Sequence, residues 1–350
     1  MQSLDEKTWE VFQLEDEFEC AKGTYLPTGD VTDGNDPFIT AKSGNNGLAR
    51  FIGNGTLFGG NRITIEKIRL SAYYQSAPFY CSHDVSVISN NNLDANNSQF
   101  IAEMIMRNGS KYSYGRQAQL NVVKRERIML PVTDSGEPDY EYMAEYAQQK
   151  RDAMLAKYRA YAKARIAELG KAVKIPALDE KEWKPIFISD MFEFVRGCEN
   201  NMAVLEDGDL PLISAKANNN GLKGFVHSPK KVIAGRCITL NNDGDGGAGL
   251  AYYQPANMAL DTHVTALMPR FDMSMFVMLF IAECISGLHG FFGHGLSISN
   301  PRAKRIRIML PVNNSGEPDY EYMEQYAKNT MLRKYQQYLT FLQQHSDTDK

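Results

Sequence analysis

RERIMLPVTDSGEPDYEYMAEYA at 125–147 and RIRIMLPVNNSGEPDYEYMEQYA at 305–327 are one passage written twice, at an offset of 180 residues (125 against 305). Working outward, PFITAKSGNNGLARFI at 37–52 matches PLISAKANNNGLKGFV at 211–226, an offset of 174 (37 against 211). AYYQ at 72–75 returns at 251–254, FIAE at 100–103 returns at 280–283, and Trp9 pairs with Trp183. The blocks keep their order, so the chain is a tandem duplication of a unit of about half its 350 residues. Such a unit is far longer than a solenoid repeat and implies a domain with a tail.

Within one unit, residues 37–70 are β-branched and apolar runs broken by Gly and Asn, which read as short strands and hairpins. NSQFIAEMIMR at 97–107 has helical period and RIMLPV is a last strand. Asp134, Ser135 and Gly136 make a turn, and Pro138 fits the first turn of a helix. That helix runs from Pro138 to Leu169, rich in strong helix formers, and Gly170 closes it. Its counterpart runs from Pro318 to about Gln344. The fold class is α+β: two tandem mixed α/β domains, each followed by a long helix. The boundaries expected are a first domain at 1–137, its helix at 138–170, a linker at 171–182, a second domain at 183–317 and its helix at 318–345. Met143, Ala147, Met154, Tyr158 and Tyr161 form one apolar seam; Met323, Ala327, Met331, Tyr335, Leu339 and Leu342 form the other. Each helix spans ~45 Å, more than one small domain covers, so the seams are expected to pack on each other as a coiled coil. The competing expectation is that each seam packs on its own domain.

Composition limits the function. At 43% hydrophobic and 23% charged residues the chain is neither disordered nor fibrous. A net charge of −4 excludes a uniformly basic nucleic-acid coat. Cys20, Cys81, Cys198, Cys237 and Cys284 are scattered, which argues against disulfides and structural zinc and suits a cytoplasmic location. MQSLDEKTWE is not a secretion signal, and the most apolar run, Met273–Ile285, is too short for a membrane span and reads as a buried helix. The charge is unevenly spread: windows 38–70, 111–127, 212–236 and 289–307 hold 19 of the 38 basic residues and 2 of the 42 acidic ones. They fall at equivalent places in both copies, as phosphate-contacting surfaces would.

No catalytic motif survives inspection. Asn35-Asp36-Pro37-Phe38 is one residue from an adenine-methyltransferase tetrapeptide, but the second copy has Asp209-Leu210-Pro211-Leu212. Gly244–Gly249 fits G-x-G-x-x-G yet leads into a strand, so it reads as a loop. His289 and His294 lack helical metal spacing, and His83 and His263 read as structural. P-loop and nucleophile motifs are missing from the sequence. The candidate site is for binding. Lys42–Gly47 and Lys216–Gly221 carry Asn-Gly hairpin chemistry whose amides could read base edges, and Lys111–Arg116 is an aromatic, basic, glycine-containing loop. The candidate DNA contacts are Lys42, Asn45, Asn46, Arg50, Tyr74, Lys111, Tyr112, Tyr114 and Arg116, then Lys216, Asn218, Asn219, Asn220, Lys223, Tyr253, His294, Arg302 and Lys304.

The P-[FL]-I-[ST]-A-K-x-x-N-N-G block, the YSYGR block and the duplicated RIMLPV-x-x-S-G-E-P-D-Y-E-Y-M block together resemble the specificity subunits of bacterial restriction–modification systems, type I and the related type IIB (BcgI-like) kind. The resemblance covers essentially the whole chain. It implies two target recognition domains, each reading half of a bipartite double-stranded DNA site. It implies an antiparallel coiled coil that sets the distance between them. DNA methyltransferase or fused methyltransferase–nuclease subunits, two per chain, would dock on the helices. The chain itself would hold no catalytic residue, metal or cofactor; the partner would use S-adenosylmethionine, and magnesium if it cuts. Phe291-Phe292-Gly293-His294-Gly295 stands where the first copy has Tyr112-Ser113-Tyr114-Gly115-Arg116, which implies that the half-sites differ. The other readings are a stand-alone DNA-binding protein of the same fold, and an enzyme with an unrecognised hydrolase site.

Overall fold

The computed structural model describes residues 2–200, 204–244, 247–293 and 296–346. The chain forms two compact units, Met1–Arg159 and Ala160–Lys350. Unit 1 runs β1 (Trp9–Gln13), α1 (Leu14–Glu17), β2 (Glu19–Lys22), β3 (Asp36–Ile39), β4 (Leu48–Ile52), β5 (Leu57–Phe58), β6 (Arg62–Glu66), β7 (Ala72–Gln75), β8 (Phe79–Cys81), β9 (Val85–Ser89), α2 (Asn97–Met106), α3 (Leu120–Lys124) and β10 (Arg127–Pro131). It ends in α4 (Tyr140–Leu169), whose last ten residues belong to unit 2.

Its strands form three sheets: the antiparallel pair β1–β10, a four-stranded β2-β9-β6-β7 and a four-stranded β4-β3-β8-β5 in which β3 and β8 are parallel. β10 shows why alternation decides the faces. Ile128 and Leu130 point into the core while Arg127 and Met129 point out. Ile63, Ile65, Ile101, Ile105, Ile128, Leu130 and Met143 meet in one cluster. Each such buried aliphatic contributes about 1.5–3 kcal/mol.

Unit 2 repeats this order with β11 (Trp183–Phe187), α5 (Ile188–Met191), β12 (Phe192–Arg196), β13 (Asp207–Ile213), β14 (Leu222–Val226), β15 (Cys237–Asn241), β16 (Ala251–Gln254), β17 (Ala259–Leu260), β18 (Val264–Pro269), α6 (Met275–Ser286), α7 (Asn300–Ala303), β19 (Arg307–Pro311) and α8 (Tyr320–Ser346). Its sheets are β11–β19, β12-β18-β15-β16 and β14-β13-β17. The helix expected over Met273–Ile285 is α6, with Ser274 capping Val277 N–H at 3.4 Å.

The long helices start later than expected. Pro138 lies before the helix, bridged to Val132, and Asp139 is the cap, accepting from Tyr142 N–H at 2.9 Å. Lys7 holds the same carboxylate at 2.6 Å and lies over the Tyr142 ring. Lys181 repeats this, 2.7 Å from Asp319 and over Tyr322. Gly170 ends α4 at φ +74°, its N–H on Ile166 O.

The seams divide between two uses. Met143 and Met323 are fully buried in their own units' cores, and Ala327 is buried too. The expectation that these residues cover a second helix is corrected: α6 packs on the start of α8, and Met143 of α4 joins the unit 1 core with Ile101 and Ile105 of α2. Further along, Tyr161 and Tyr335 meet edge to face inside unit 2, centroids 6.0 Å apart and hydroxyls 3.3 Å apart. Asn329 brackets the Val173 backbone, donating to its carbonyl at 2.7 Å and accepting its N–H at 3.1 Å. Tyr158 and Leu339 are half-buried, while Met154 is exposed.

Candidate nucleic-acid interface

The Lys-x-x-Asn-Asn-Gly segments connect β3 to β4 and β13 to β14. They are wider than the two-residue turn that Asn-Gly suggests. In unit 1, Asn45, Asn46 and Gly47 have φ of +52°, +54° and +73°; in unit 2, Asn219, Asn220 and Gly221 have +51°, +53° and +75°. Asparagine tolerates this left-handed region. At Gly47 a Cβ would come within 2.9 Å of the Ile39 side chain, so the closing residue is glycine for two reasons.

A buried network pins each loop from below. Asn46 Nδ2 donates to Gln75 Oε1 (3.2 Å) and Tyr74 O (3.4 Å), while Gln75 Nε2 donates to Asn46 O (3.2 Å) and Thr64 Oγ1 (3.0 Å). Asn220, Gln254, Tyr253 and Thr239 repeat it at 3.3, 3.0, 3.0 and 3.0 Å. The second Asn of each pair is therefore committed to holding the loop. Lys42 and Lys216 reach back to the carbonyls of Leu48 and Leu222 at 3.4 and 2.9 Å. Asn45, Asn218, Asn219, Arg50 and Lys223 are exposed beside them; Tyr74 and Tyr253 are half-buried on β7 and β16, where burial raises both phenols.

Sequence reasoning passed over Phe51 and Phe225, the same position of β4 and β14, 52% and 49% exposed next to Arg50 and Lys223. The signal was present: both sit inside the matched block as ARF and KGF.

The Lys111–Arg116 loop is only partly as expected. Tyr112 is buried, its hydroxyl donating to the Glu126 carboxylate, which Lys111 also holds at 2.6 Å. Burial first, then the Glu126 hydrogen bond, pushes the Tyr112 phenol up to about 12. Tyr112 thus supports the loop from inside and is not a surface contact. Tyr114 stands 82% exposed at the tip, and Arg116 lies over the Tyr112 ring. The bridges Ser113–Arg116 and Gly293–Leu296 correct the alignment of the copies by one residue. Tyr112 corresponds to Phe292, Lys111 to Phe291, Arg116 to Leu296 and Glu126 to Ile306. His294 lies outside the described residues. Arg302 and Lys304 are exposed on and just after α7, with Arg302 donating to Ser297 O.

His289 bonds Ala248 O, a structural role. His263 sits 2.6 Å from Asp243 and His83 3.3 Å from Asp84. Among the described residues there is no cluster of three metal-ligating side chains and no helix long and apolar enough to cross a membrane.

Comparison with known proteins gives this geometry a family. The "Type I restriction modification DNA specificity domain" model matches twice, over residues 6–154 and 180–339. A curated relative, the "Type II restriction enzyme BgcI specificity subunit S.BcgI" of Heyndrickxia coagulans, is 27% identical over 296 residues, covering 83% of this chain and 84% of the relative. Among solved structures, the type I restriction–modification S subunit of M. genitalium is 15% identical with a TM-score of 0.48, covering 99% of this chain and 96% of that one. The HsdS subunit of Thermoanaerobacter tengcongensis is 15% identical with a TM-score of 0.32, covering 96% and 91%. The chain belongs to the restriction–modification DNA specificity family and carries its domain in two copies.

Proposed function

We propose that this chain reads a bipartite, gapped double-stranded DNA sequence and brings methyltransferase subunits to it. One observation carries the reading: the two specificity domains offer the same pinned loop on the same frame while the neighbouring loop changes chemistry, from Lys111, Tyr114 and Arg116 to Phe291, His294 and Leu296. Two readers of one architecture with different side chains suit two different half-sites. Target recognition domains at 1–137 and 183–317, with 171–182 between them, are part of the proposal. So is antiparallel pairing of α4 and α8. Its support lies inside unit 2, where moving forward from Tyr161 to Val173 the contacts move backward from Tyr335 to Asn329. The methyl donor S-adenosylmethionine, and magnesium for any cleavage, would be held by the partner, two copies per chain.

Long-read methylome sequencing of cells expressing a methyltransferase subunit with and without this chain tests it. A gapped motif that appears only with the chain is expected. Methylation unchanged by the chain would refute the reading.

A further inference from the structure

The β6–β7 connection of unit 1 is a short turn, Lys67-Ile68-Arg69-Leu70-Ser71, between Glu66 and Ala72. A buried carboxylate builds it. Glu66, 4% exposed, accepts the backbone N–H groups of Ile68, Arg69 and Ser71 at 2.7, 2.6 and 3.1 Å. Leu70 is fully buried at φ +54°, a conformation that leucine adopts only where its surroundings impose it. Lys67 is held by Asp84 at 2.6 Å, and its carbonyl accepts the Ala118 N–H at 2.7 Å. Arg69 is the residue this turn presents. Its backbone is fixed, its side chain is exposed, and among the described residues no carboxylate pairs with it.

The turn and the Lys111–Arg116 loop share a recess. A Cβ at Gly109 would collide with the Arg69 carbonyl oxygen, so the two segments meet backbone to backbone. Beside that contact lies a cavity of about 440 Å³, lined by Ile68, Arg69, Met106, Ser110, Ser113 and Tyr114 among others. Ile68 and Met106 give it apolar surface, and among the described residues no carboxylate lines it.

Unit 2 builds the same connection differently. Asn241 stands where unit 1 has Glu66, each at the end of its strand. Residues 242–250, NDGDGGAGL, then lead to β16 without a Lys or Arg. Asp243 in that stretch holds His263 at 2.6 Å. The arginine therefore belongs to one unit alone, whereas both units share the Asn-Asn-Gly step. A guanidinium is a planar fork of donors with no acceptor. On the major-groove edge of duplex DNA, guanine is the base that offers two acceptors side by side, N7 and O6. A phosphate is met well enough by a cation on a flexible stem. Here the backbone under the cation is held by a buried carboxylate beside a partly apolar recess, which suits a fixed base edge. Resting on the DNA-reading function above, we propose that Arg69 reads one guanine of the unit 1 half-site through N7 and O6. The bipartite target then carries a G·C pair in one half whose reader has no counterpart in the other.

Selection from a randomised duplex pool tests this, with the full chain alone and with a methyltransferase subunit added. The parent should enrich a gapped motif. In Arg69→Gln one guanine position of one half should lose about tenfold in preference over the other bases, while the other half stays fixed. Arg69→Lys should lose the same preference, because an ammonium lacks the fork. Both variants should unfold at the parent's temperature, since Glu66 holds the backbone of residue 69 and not its side chain. Placing 7-deazaguanine at that position removes N7 and should weaken the parent about fivefold and Arg69→Gln by less than about twofold. A motif that Arg69→Gln leaves fixed at every position, or a change spread over both halves, overturns Arg69 as a reader and leaves the DNA-reading function standing. A parent insensitive to 7-deazaguanine at every guanine of its motif does the same without any variant. A uniform loss of affinity that Arg69→Lys restores, with the slope of log affinity against log salt reduced by about 0.9 in Arg69→Gln, identifies a phosphate contact and overturns the proposal. Enrichment of no sequence under either condition overturns the DNA-reading function and Arg69 with it.

Discussion

Exchanging Tyr112 and Glu126 for their unit 2 counterparts tests whether the buried polar cluster under the Lys111–Arg116 loop is a structural device. Tyr112→Phe removes a hydroxyl that donates to a buried carboxylate. Hydrogen bonds to charged groups contribute about 1.5–3 kcal/mol, and Lys111 remains on the carboxylate at 2.6 Å, so a loss of about 2 kcal/mol is expected. Glu126→Ile strands the buried phenol instead and should also remove about 2 kcal/mol; Lys111, 47% exposed, re-enters water at little cost. The double variant recreates the apolar pair that unit 2 already uses, Ile306 in its main cluster and Phe292 packed against that cluster. It should lie within about 1 kcal/mol of the parent, since replacing both partners by apolar groups can be nearly neutral. The coupling is then about 3 kcal/mol. Scanning calorimetry and urea unfolding of the full chain read this directly. At about 2–4 °C per kcal/mol for a domain of this size, each single change lowers the unit 1 transition by about 4–8 °C. Single losses below about 0.5 kcal/mol, or a double variant that loses the sum of the two, would refute the argument.

Asp139→Ala breaks both the helix cap and the Lys7 pair, whose side chains are 13% and 16% exposed, and should cost about 1–3 kcal/mol by urea unfolding. Burial works against ionisation of Asp139, but the Lys7 hydrogen bond, the Tyr142 N–H and the Lys7 charge outweigh it and hold the carboxyl low. A lowered folded pKa means stability that is present above the ordinary 3.8 and is lost as pH falls below it, so the variant should show a flatter acid limb. Lys42→Ala and Arg50→Ala should each reduce the slope of log affinity against log salt by about 0.9 and leave the recognised sequence unchanged, measured by fluorescence anisotropy on the target duplex. Gln75→Leu leaves the Asn46 backbone and Thr64 hydroxyl without a shared donor and should cost about 1–3 kcal/mol. In a methylome it should blur one half-site and spare the other.

Much of this fold was written in the repeats, for physical reasons that also mark where reading stopped. RIMLP alternates in and out, and the block after it is rich in helix formers, so β10 and α4 followed from local pattern. β1 and β11 did not, because WEVFQ and WKPIF are short, Pro185 inside the second argues against a strand, and both pair with strands more than a hundred residues away. Pro138 satisfied the rule for a first helical turn, but Asp139 N–H donates to Pro131 O at 2.8 Å and the Asp139 carboxylate accepts from Tyr142 N–H, which places the cap there and the proline outside. Periodicity found the stripe holding Met143 and Met323 but says nothing about what covers it; α2 and α6 do. The basic residues of the candidate interface were visible as charge windows, whereas Tyr112 turned inward because Glu126, distant in sequence, sits beneath it. The Lys7 and Lys181 clamps went unread because a lone lysine 132 or 138 residues from its aspartate has no local signature.

Because both copies fold within one chain, their differences can be exchanged as a final test of what the frame fixes and what the loop chooses. The Lys–Asp clamp, the Gln–Asn–Thr network and the left-handed Asn-Asn-Gly step are the same in both units to within a few tenths of an ångström. The loop after the short helical turn is not. Moving residues 291–296 into positions 111–116 alone puts Phe under Glu126 and leaves a buried carboxylate without donors, which should cost about 2–4 kcal/mol in unit 1. Moving Ile306 into position 126 with them removes that charge and should restore stability to within about 1 kcal/mol. The two chimaeras then separate folding from reading. If the loop selects bases, the stable chimaera specifies the second half-site twice in a methylome. If it folds normally and the original bipartite motif persists, base selection lies elsewhere on the frame, with Phe51 and Phe225 the next residues to exchange.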